Sequence, residues 1–170
     1  MKLKYFSILF VFFFSIKTAT AQTDSLTVYV FLSETCPICQ LQTISLRALN
    51  EEFDAKGIKM IGVFPNIQVS DSASIKQFKK KYKLNFDVQL DDNQSLTKKL
   101  NAEVTPQVFV LRNETQSILY QGKIDNSYER VGKRRQYVTA FYLKDVLNQI
   151  LDNQCLSIKN TEAVGCFIMK

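Results

Sequence analysis

Histidine is absent from all 170 residues. That removes a histidine general base, a Ser-His-Asp triad and any imidazole metal ligand. It also removes covalent haem attachment, which needs His directly after a Cys-x-x-Cys pair, whereas Gln40 follows Cys39 here. Internal repeats and low-complexity blocks are missing, and no apolar run reaches the roughly 20 residues of a bilayer span. The longest such block, Tyr5 to Ile16, follows Lys2 and Lys4 and precedes Ala19-Thr20-Ala21. A basic start, a short apolar middle and small residues before a cut predict a cleavable signal peptide over 1–21, removed after Ala21. An uncleaved anchor is the alternative.

Excess charge is also scarce. The formal net charge is +6, but Lys2, Lys4 and Lys17 lie in the first 21 residues, which carry no acid. The remainder holds 19 basic against 16 acidic residues, a net of +3, and a nucleic-acid partner loses its support. Export implies a periplasmic or secreted protein in a compartment where disulfides persist, so each of the four cysteines has a redox fate to explain.

What remains alternates strand and helix. Leu26–Leu32 is rich in branched and aromatic residues, as a buried strand requires. From Cys36 to about Phe53, Ile38, Leu41, Ile44, Leu46, Leu49 and Phe53 predict one helical face, stopped at Gly57. Ile58–Phe64 predicts a second strand, Ser70–Tyr82 a helix, Phe86–Leu90 a short strand and Asn93–Asn101 a short helix. Gln107–Leu111 and Ser117–Gly122 form a hairpin turned at 113–116. A loop rich in Gly, Lys and Arg then leads to a last helix over about Tyr137–Asp152, with Val138, Phe141, Tyr142, Val146, Leu147 and Ile150 inward. The lysines at 79, 80, 81 and 83 read as a solvated helix face, and Lys133, Arg134 and Arg135 as a loop able to hold an anion. The expected organisation is one α/β domain over 22–152 with a mixed sheet, and a polar tail over 153–170 carrying Cys155 and Cys166.

Cys36-Pro37-Ile38-Cys39 falls where the first strand gives way to the first helix. Thr35 or Ser33 is a plausible N-cap, and Pro37 is tolerated because early helical N–H groups lack partners. The helix dipole and those N–H groups favour an anion there, so Cys36 should ionise below the ordinary value of about 8.5. Cys39, one turn on, is close enough to close a disulfide. Cys36 would then attack a substrate disulfide and Cys39 would resolve the mixed disulfide. A zinc corner is the other use of this spacing, but Cys155 and Cys166 do not make a second close pair. They permit a disulfide closing the tail, exchange of one of them with Cys36, or no pairing at all.

CPIC in this position resembles the active site of the thioredoxin superfamily, and Val104-Thr105-Pro106-Gln107-Val108-Phe109-Val110 resembles the segment carrying its cis-proline. The likeness covers about residues 25–151 and is nearest to the exported redoxin, TlpA-like branch, which inserts a helix and a strand, here about Gln68–Asp92. It implies a thioredoxin-like sandwich in which Pro106 shapes the dithiol site. The Thr105 backbone would pair with an extended substrate chain. Without the resemblance Pro106 would read as an ordinary trans proline, since cis X–Pro bonds are about 5–6% of the total. The late VGCFI is similar to a redoxin subgroup with a Gly-Cys tail.

Departures are informative. Thr35 stands where thioredoxins usually carry tryptophan, a residue this chain lacks. Val30 stands where their buried carboxylate would fall. Gln42 replaces the acid that cytochrome-maturation relatives place three residues after the second cysteine. The peroxidase pattern P-x-x-x-[TS]-x-x-C fails at Tyr29. The resemblance implies a monomeric thiol–disulfide oxidoreductase that needs no cofactor or metal. Its expected partners are protein clients and a membrane or periplasmic redox protein, with reduction of clients the expected direction. The rival class is a Cu(I)-binding or copper-delivery module using Cys36 and Cys39 as soft ligands. Methionine occurs three times, once at the start codon, which leaves such a module poorly supplied with ligands. A redox-inert scaffold is the third possibility.

Overall fold

The computed structural model describes residues 25–169. The signal peptide expected over 1–21 lies outside the described residues. Among those described, no helix is long and apolar enough to cross a membrane. The central sheet has the order β3-β2-β1-β5-β6. Its strands are β1 (Leu26–Phe31), β2 (Ile58–Phe64), β3 (Asp87–Leu90), β5 (Gln107–Arg112) and β6 (Ser117–Gly122). β1, β2 and β3 run parallel, as the crossover helices demand, while β5 runs antiparallel to both β1 and β6. A two-residue strand β4 (Val104–Thr105) precedes β5. The helix–strand insertion expected over 68–92 is α2 (Ser72–Lys81) followed by β3 at the sheet edge.

Strand alternation sorts the core into two layers. Val28 and Val30 of β1 face one side with Leu46, Leu49 and Phe53 of α1 (Pro37–Asp54). Ile75 and Phe78 of α2 and Leu143, Val146 and Leu147 of α4 (Tyr142–Leu151) join that layer. Phe31 of β1, Val63, Phe109 and Leu111 face the other side with Leu100 of α3 (Ser95–Leu100) and Ile168 from the C-terminal tail. The tail, expected as a polar appendage, thus supplies a core residue.

Three expectations change. Leu41 and Ile44 do not face the core; they are 45% and 64% exposed, and Gln42, Thr43 and Asn50 are buried instead. Polar partners beneath the helix explain the shift: Gln42 donates to Asp125 Oδ1 at 2.9 Å, and Asn50 Nδ2 to the Asn85 carbonyl at 3.3 Å. The last helix begins at Tyr142 and not near Tyr137, which lies exposed. The basic loop before it is partly a hairpin of β7 (Tyr128–Arg130) and β8 (Lys133–Arg134). Glu129 takes both Lys133 and, at 3.3 Å, Arg135, so two of the three charges expected to hold an anion already have an internal partner.

Candidate active site

β1 ends beside the sheet centre, and the chain turns through Ser33–Thr35 into α1. Cys36 is the N-cap residue of that helix, in extended conformation, and Pro37 follows at the first helical position. Neither Thr35 nor Ser33 caps the helix as expected; their hydroxyls bond each other at 3.1 Å. Glu34 secures the turn from outside, accepting from Ser70 Oγ and, at 2.6 Å, from Ser74 Oγ. Gln40 Nε2 donates to the Glu34 carbonyl at 2.7 Å. The entrance to α1 is thereby fastened to the start of α2.

Both dithiol sulfurs are sealed. Cys36 is 1% exposed and Cys39 is 0% exposed. The Cys36 pKa is lowered from 9.0 to about 5. Its largest cause is a hydrogen bond from the Cys39 thiol, opposed by burial, with the Cys166 thiol next and the backbone N–H groups of Cys39 and Cys166 after it. The Cys39 N–H belongs to the first turn of α1, so the helix N-terminus contributes, but the neighbouring thiol matters more than the sequence argument assigned to it. Cys39 moves the opposite way, well above its ordinary value, because burial disfavours its anion and the Cys36 charge adds to that. One sulfur is therefore held as a thiolate and the other as its proton-bearing donor.

The Thr105–Pro106 peptide bond is cis, as the resemblance implied, and Pro106 is buried. The Cys36 thiol, when protonated, donates to the Thr105 carbonyl at 3.2 Å. Cys36, Cys39, Thr105 and Pro106 thus lie together, in the arrangement the resemblance implies. Thr105, however, is not a free edge. Val104 and Thr105 pair antiparallel with Phe167 and Cys166 of β9 (Cys166–Phe167). The Cys166 thiol donates to Cys36 Sγ at 2.9 Å. Burial, with the adjacent Cys36 thiolate, raises the Cys166 pKa from 9.0 to about 12.

Of the options open for the tail cysteines, a Cys155–Cys166 disulfide is not formed. Both are free thiols, Cys155 exposed and Cys166 half-buried against the dithiol. A contact between strands this distant in sequence leaves no local signature. Only Gly165 hints at it, because a Cβ there would lie 2.2 Å from the Thr105 carbonyl oxygen.

Asp125 also escaped the sequence reading. Its Oδ1 accepts from Gln42 Nε2, from the Ser127 N–H at 2.8 Å and from Ser127 Oγ. With Ile38, Gln42, Pro106, Tyr128 and Val164 it lines a small cleft beside the dithiol. The residue three after the second cysteine is thus not an acid but a holder of one. Among the described residues, no group of three or more His, Cys, Asp or Glu side chains is arranged to hold a metal ion.

A mixed sheet, a helix opening on Cys-x-x-Cys and a cis-proline facing it define a thioredoxin-like redoxin. The chain belongs to the AhpC/TSA family, whose sequence pattern matches residues 14–124. No curated protein matches the sequence. Among solved structures, an uncharacterized conserved protein from Geobacillus kaustophilus is 22% identical with a TM-score of 0.75, covering 86% of this chain and 78% of that one. A hypothetical protein from Sinorhizobium meliloti 1021 is 22% identical at 0.74, covering 86% and 80%. A secreted Mycobacterium tuberculosis disulfide oxidoreductase, described as homologous to DsbE of E. coli, is 18% identical at 0.50, covering 76% and 82%. These likenesses establish the shared fold.

Proposed function

We propose that the chain is an exported thiol–disulfide oxidoreductase acting on protein clients, with Cys36 as nucleophile and Cys39 as resolving thiol. The observation that carries this reading is the geometry of one helix start: Cys36 at the N-cap and Cys39 in the first turn, both buried beside the cis Thr105–Pro106 bond, with the Cys36 pKa lowered and that of Cys39 raised. A thiolate beside a protonated thiol is what one cycle of exchange consumes. Cys36 Sγ bonds to one client sulfur while the other leaves as a thiol; Cys39 then bonds to Cys36 Sγ and releases the client. Pro106 shapes the wall that both sulfurs face. Family membership supports the chemistry, the solved relatives support the fold alone, and the apolar N-terminus in the sequence supports export.

Reduction of clients is the direction proposed from the sequence. The lowered Cys36 pKa acts against it, because whatever stabilises the thiolate stabilises the dithiol form and makes the pair more oxidising. The reduction potential decides: a value near about −270 mV marks a reductase and one near about −120 mV an oxidant. The function is tested by insulin reduction with wild type and Cys36→Ser, with metal analysis of the purified protein. Turnover that disappears in Cys36→Ser is expected. Stoichiometric copper without dithiol-dependent turnover would overturn the reading in favour of a copper module, and inactivity without metal would favour a scaffold.

A further inference from the structure

Cys36 and Cys39 are both closed to solvent, yet a redox pair must exchange with something outside. In the tail, a partly exposed side chain lies directly against Cys36 Sγ. Cys166 is half-buried, stands 2.9 Å from Cys36 and occupies the position on the Thr105 edge expected of a client strand. The tail is also fastened on both sides of that position. Upstream, Thr161 Oγ1 accepts from the Lys123 N–H at 2.8 Å and bonds Tyr120 OH at 2.8 Å, and the Thr161 N–H donates to the Gln121 carbonyl. Downstream, Ile168 enters the core and its N–H donates to the Glu103 carbonyl at 2.9 Å. The Met169 N–H donates to Asn66 Oδ1 at 2.9 Å. Gly122 and Gly165 leave room for these crossings: a Cβ at either would lie 2.2 Å from the backbone of Thr161 or Thr105 respectively.

We propose that Cys166 is a third exchanging thiol, held on the cis-proline edge by a resident C-terminal strand, through which outside thiols and disulfides reach the sealed dithiol. The proposal rests on the oxidoreductase reading for the identity of its partners. From the oxidised pair, the Cys166 thiolate attacks Cys36 Sγ. The Cys36–Cys166 bond forms and the Cys36–Cys39 bond breaks, and Cys39 takes up the proton that Cys166 gave up. No net oxidation occurs. An outside thiol then attacks Cys166 Sγ, forming a mixed disulfide there and releasing Cys36 as the thiolate. Among the three sulfurs Cys36 is the best leaving group, since the least basic thiolate leaves fastest. A second outside thiol completes the reduction by displacing the first from Cys166 as a disulfide. Run backwards, the same steps pass a disulfide from an outside partner inward to Cys36 and Cys39.

The test uses the mature protein with glutathione as the outside partner. Cys39→Ser treated with oxidised glutathione should lose the two hydrogens of an internal Cys36–Cys166 disulfide. Reduced glutathione added afterwards should appear first on Cys166, as read by peptide mapping. In stopped flow, reduction of the Cys36–Cys39 pair should slow about a hundredfold in Cys166→Ser, the low end of what tethering brings. Cys155→Ser should match wild type. A stable glutathione adduct on Cys36 in Cys39→Ser would overturn the proposal. So would a Cys166→Ser rate equal to or above wild type, which would make the tail a lid that clients displace. Failure of wild type to form any Cys36–Cys39 disulfide would instead sink the oxidoreductase reading, with the Cys36–Cys166 link still separately readable.

Discussion

Ile168→Ala should unlatch the tail without unfolding the domain. Ile168 is 6% exposed and packs among Phe31, Val63, Leu100, Ala102, Phe109 and Leu111. Truncation removes three carbons from that layer, about 2 kcal/mol at roughly 0.8 kcal/mol per buried methylene. Packing defects push Ile→Ala costs towards about 2–5 kcal/mol in a rigid core. A terminal strand can instead leave as a unit, so most of the loss falls on the docked-to-undocked equilibrium. At 1.4 kcal/mol per decade, about 2 kcal/mol raises the undocked fraction roughly thirtyfold. The assay is alkylation of reduced protein with iodoacetamide, followed at Cys36 by peptide mapping. When opening and closing outpace the chemistry, the labelling rate tracks the open population. Cys36 labelling should therefore rise by a similar factor, while the exposed Cys155 labels at an unchanged rate. Equal Cys36 labelling in wild type and Ile168→Ala would refute the claim that the docked tail seals the site.

Other outcomes follow from the same contacts. Ultraviolet titration of the thiolate should place Cys36 near 5 in the reduced protein, shift it up most in Cys39→Ala and less in Cys166→Ala, following the order of their contributions; a larger shift in Cys166→Ala would contradict that order. Because the folded value lies below the ordinary 9.0, the Cys36 thiolate stabilises the reduced fold fully above about 9, and this is lost as pH falls through about 5. Cys166, raised to about 12, contributes in the opposite sense, stabilising below 9 and losing that effect as pH rises through its folded value. Urea midpoints of the reduced protein should thus rise from pH 5 towards 9, with a flatter slope in Cys36→Ser; parallel slopes would refute the assignment. Gln42→Leu removes an amide donor from the buried Asp125 and should cost about 1–3 kcal/mol in urea unfolding; an unchanged midpoint would show that Ser127 and Ser45 satisfy the carboxylate without it.

The legible parts of this chain are those whose cause is local. The β1 pattern, the proline after Cys36 and the hairpin over 107–122 each carry their own signal, and all three elements stand where expected. The phase of α1 was not legible, because Gln42, Thr43 and Asn50 face inward only when Asp125 and Asn85 arrive from elsewhere to receive Gln42 and Asn50. The start of α4 was blurred by Tyr137 and Phe141, apolar residues in helical phase that are exposed. Cys36, Cys39 and Pro106 could be found from spacing and resemblance. Cys166 could be suspected as one of three options, but its pairing with Thr105 spans 61 residues and depends on where Ile168 finds a core to enter.

Filling the Thr105 edge also answers a hazard of the fold. An open strand edge next to a reactive thiolate invites pairing with any extended chain, and Cys36 would then form mixed disulfides without discrimination. Covering that edge with a strand of the same chain removes the backbone invitation. Placing a cysteine at the covering position keeps the chemistry available, because access now depends on a sulfur and not on a peptide strand. The protonation pattern fits this arrangement: Cys39 and Cys166 both donate to one anion, so each keeps its own proton while that anion persists. Oxidising Cys36 abolishes the anion and with it the Coulombic part of what holds the other two protonated. The thiol left out of the bond then ionises more readily than it does beside the Cys36 anion, although burial still holds its proton, and becomes the next attacker.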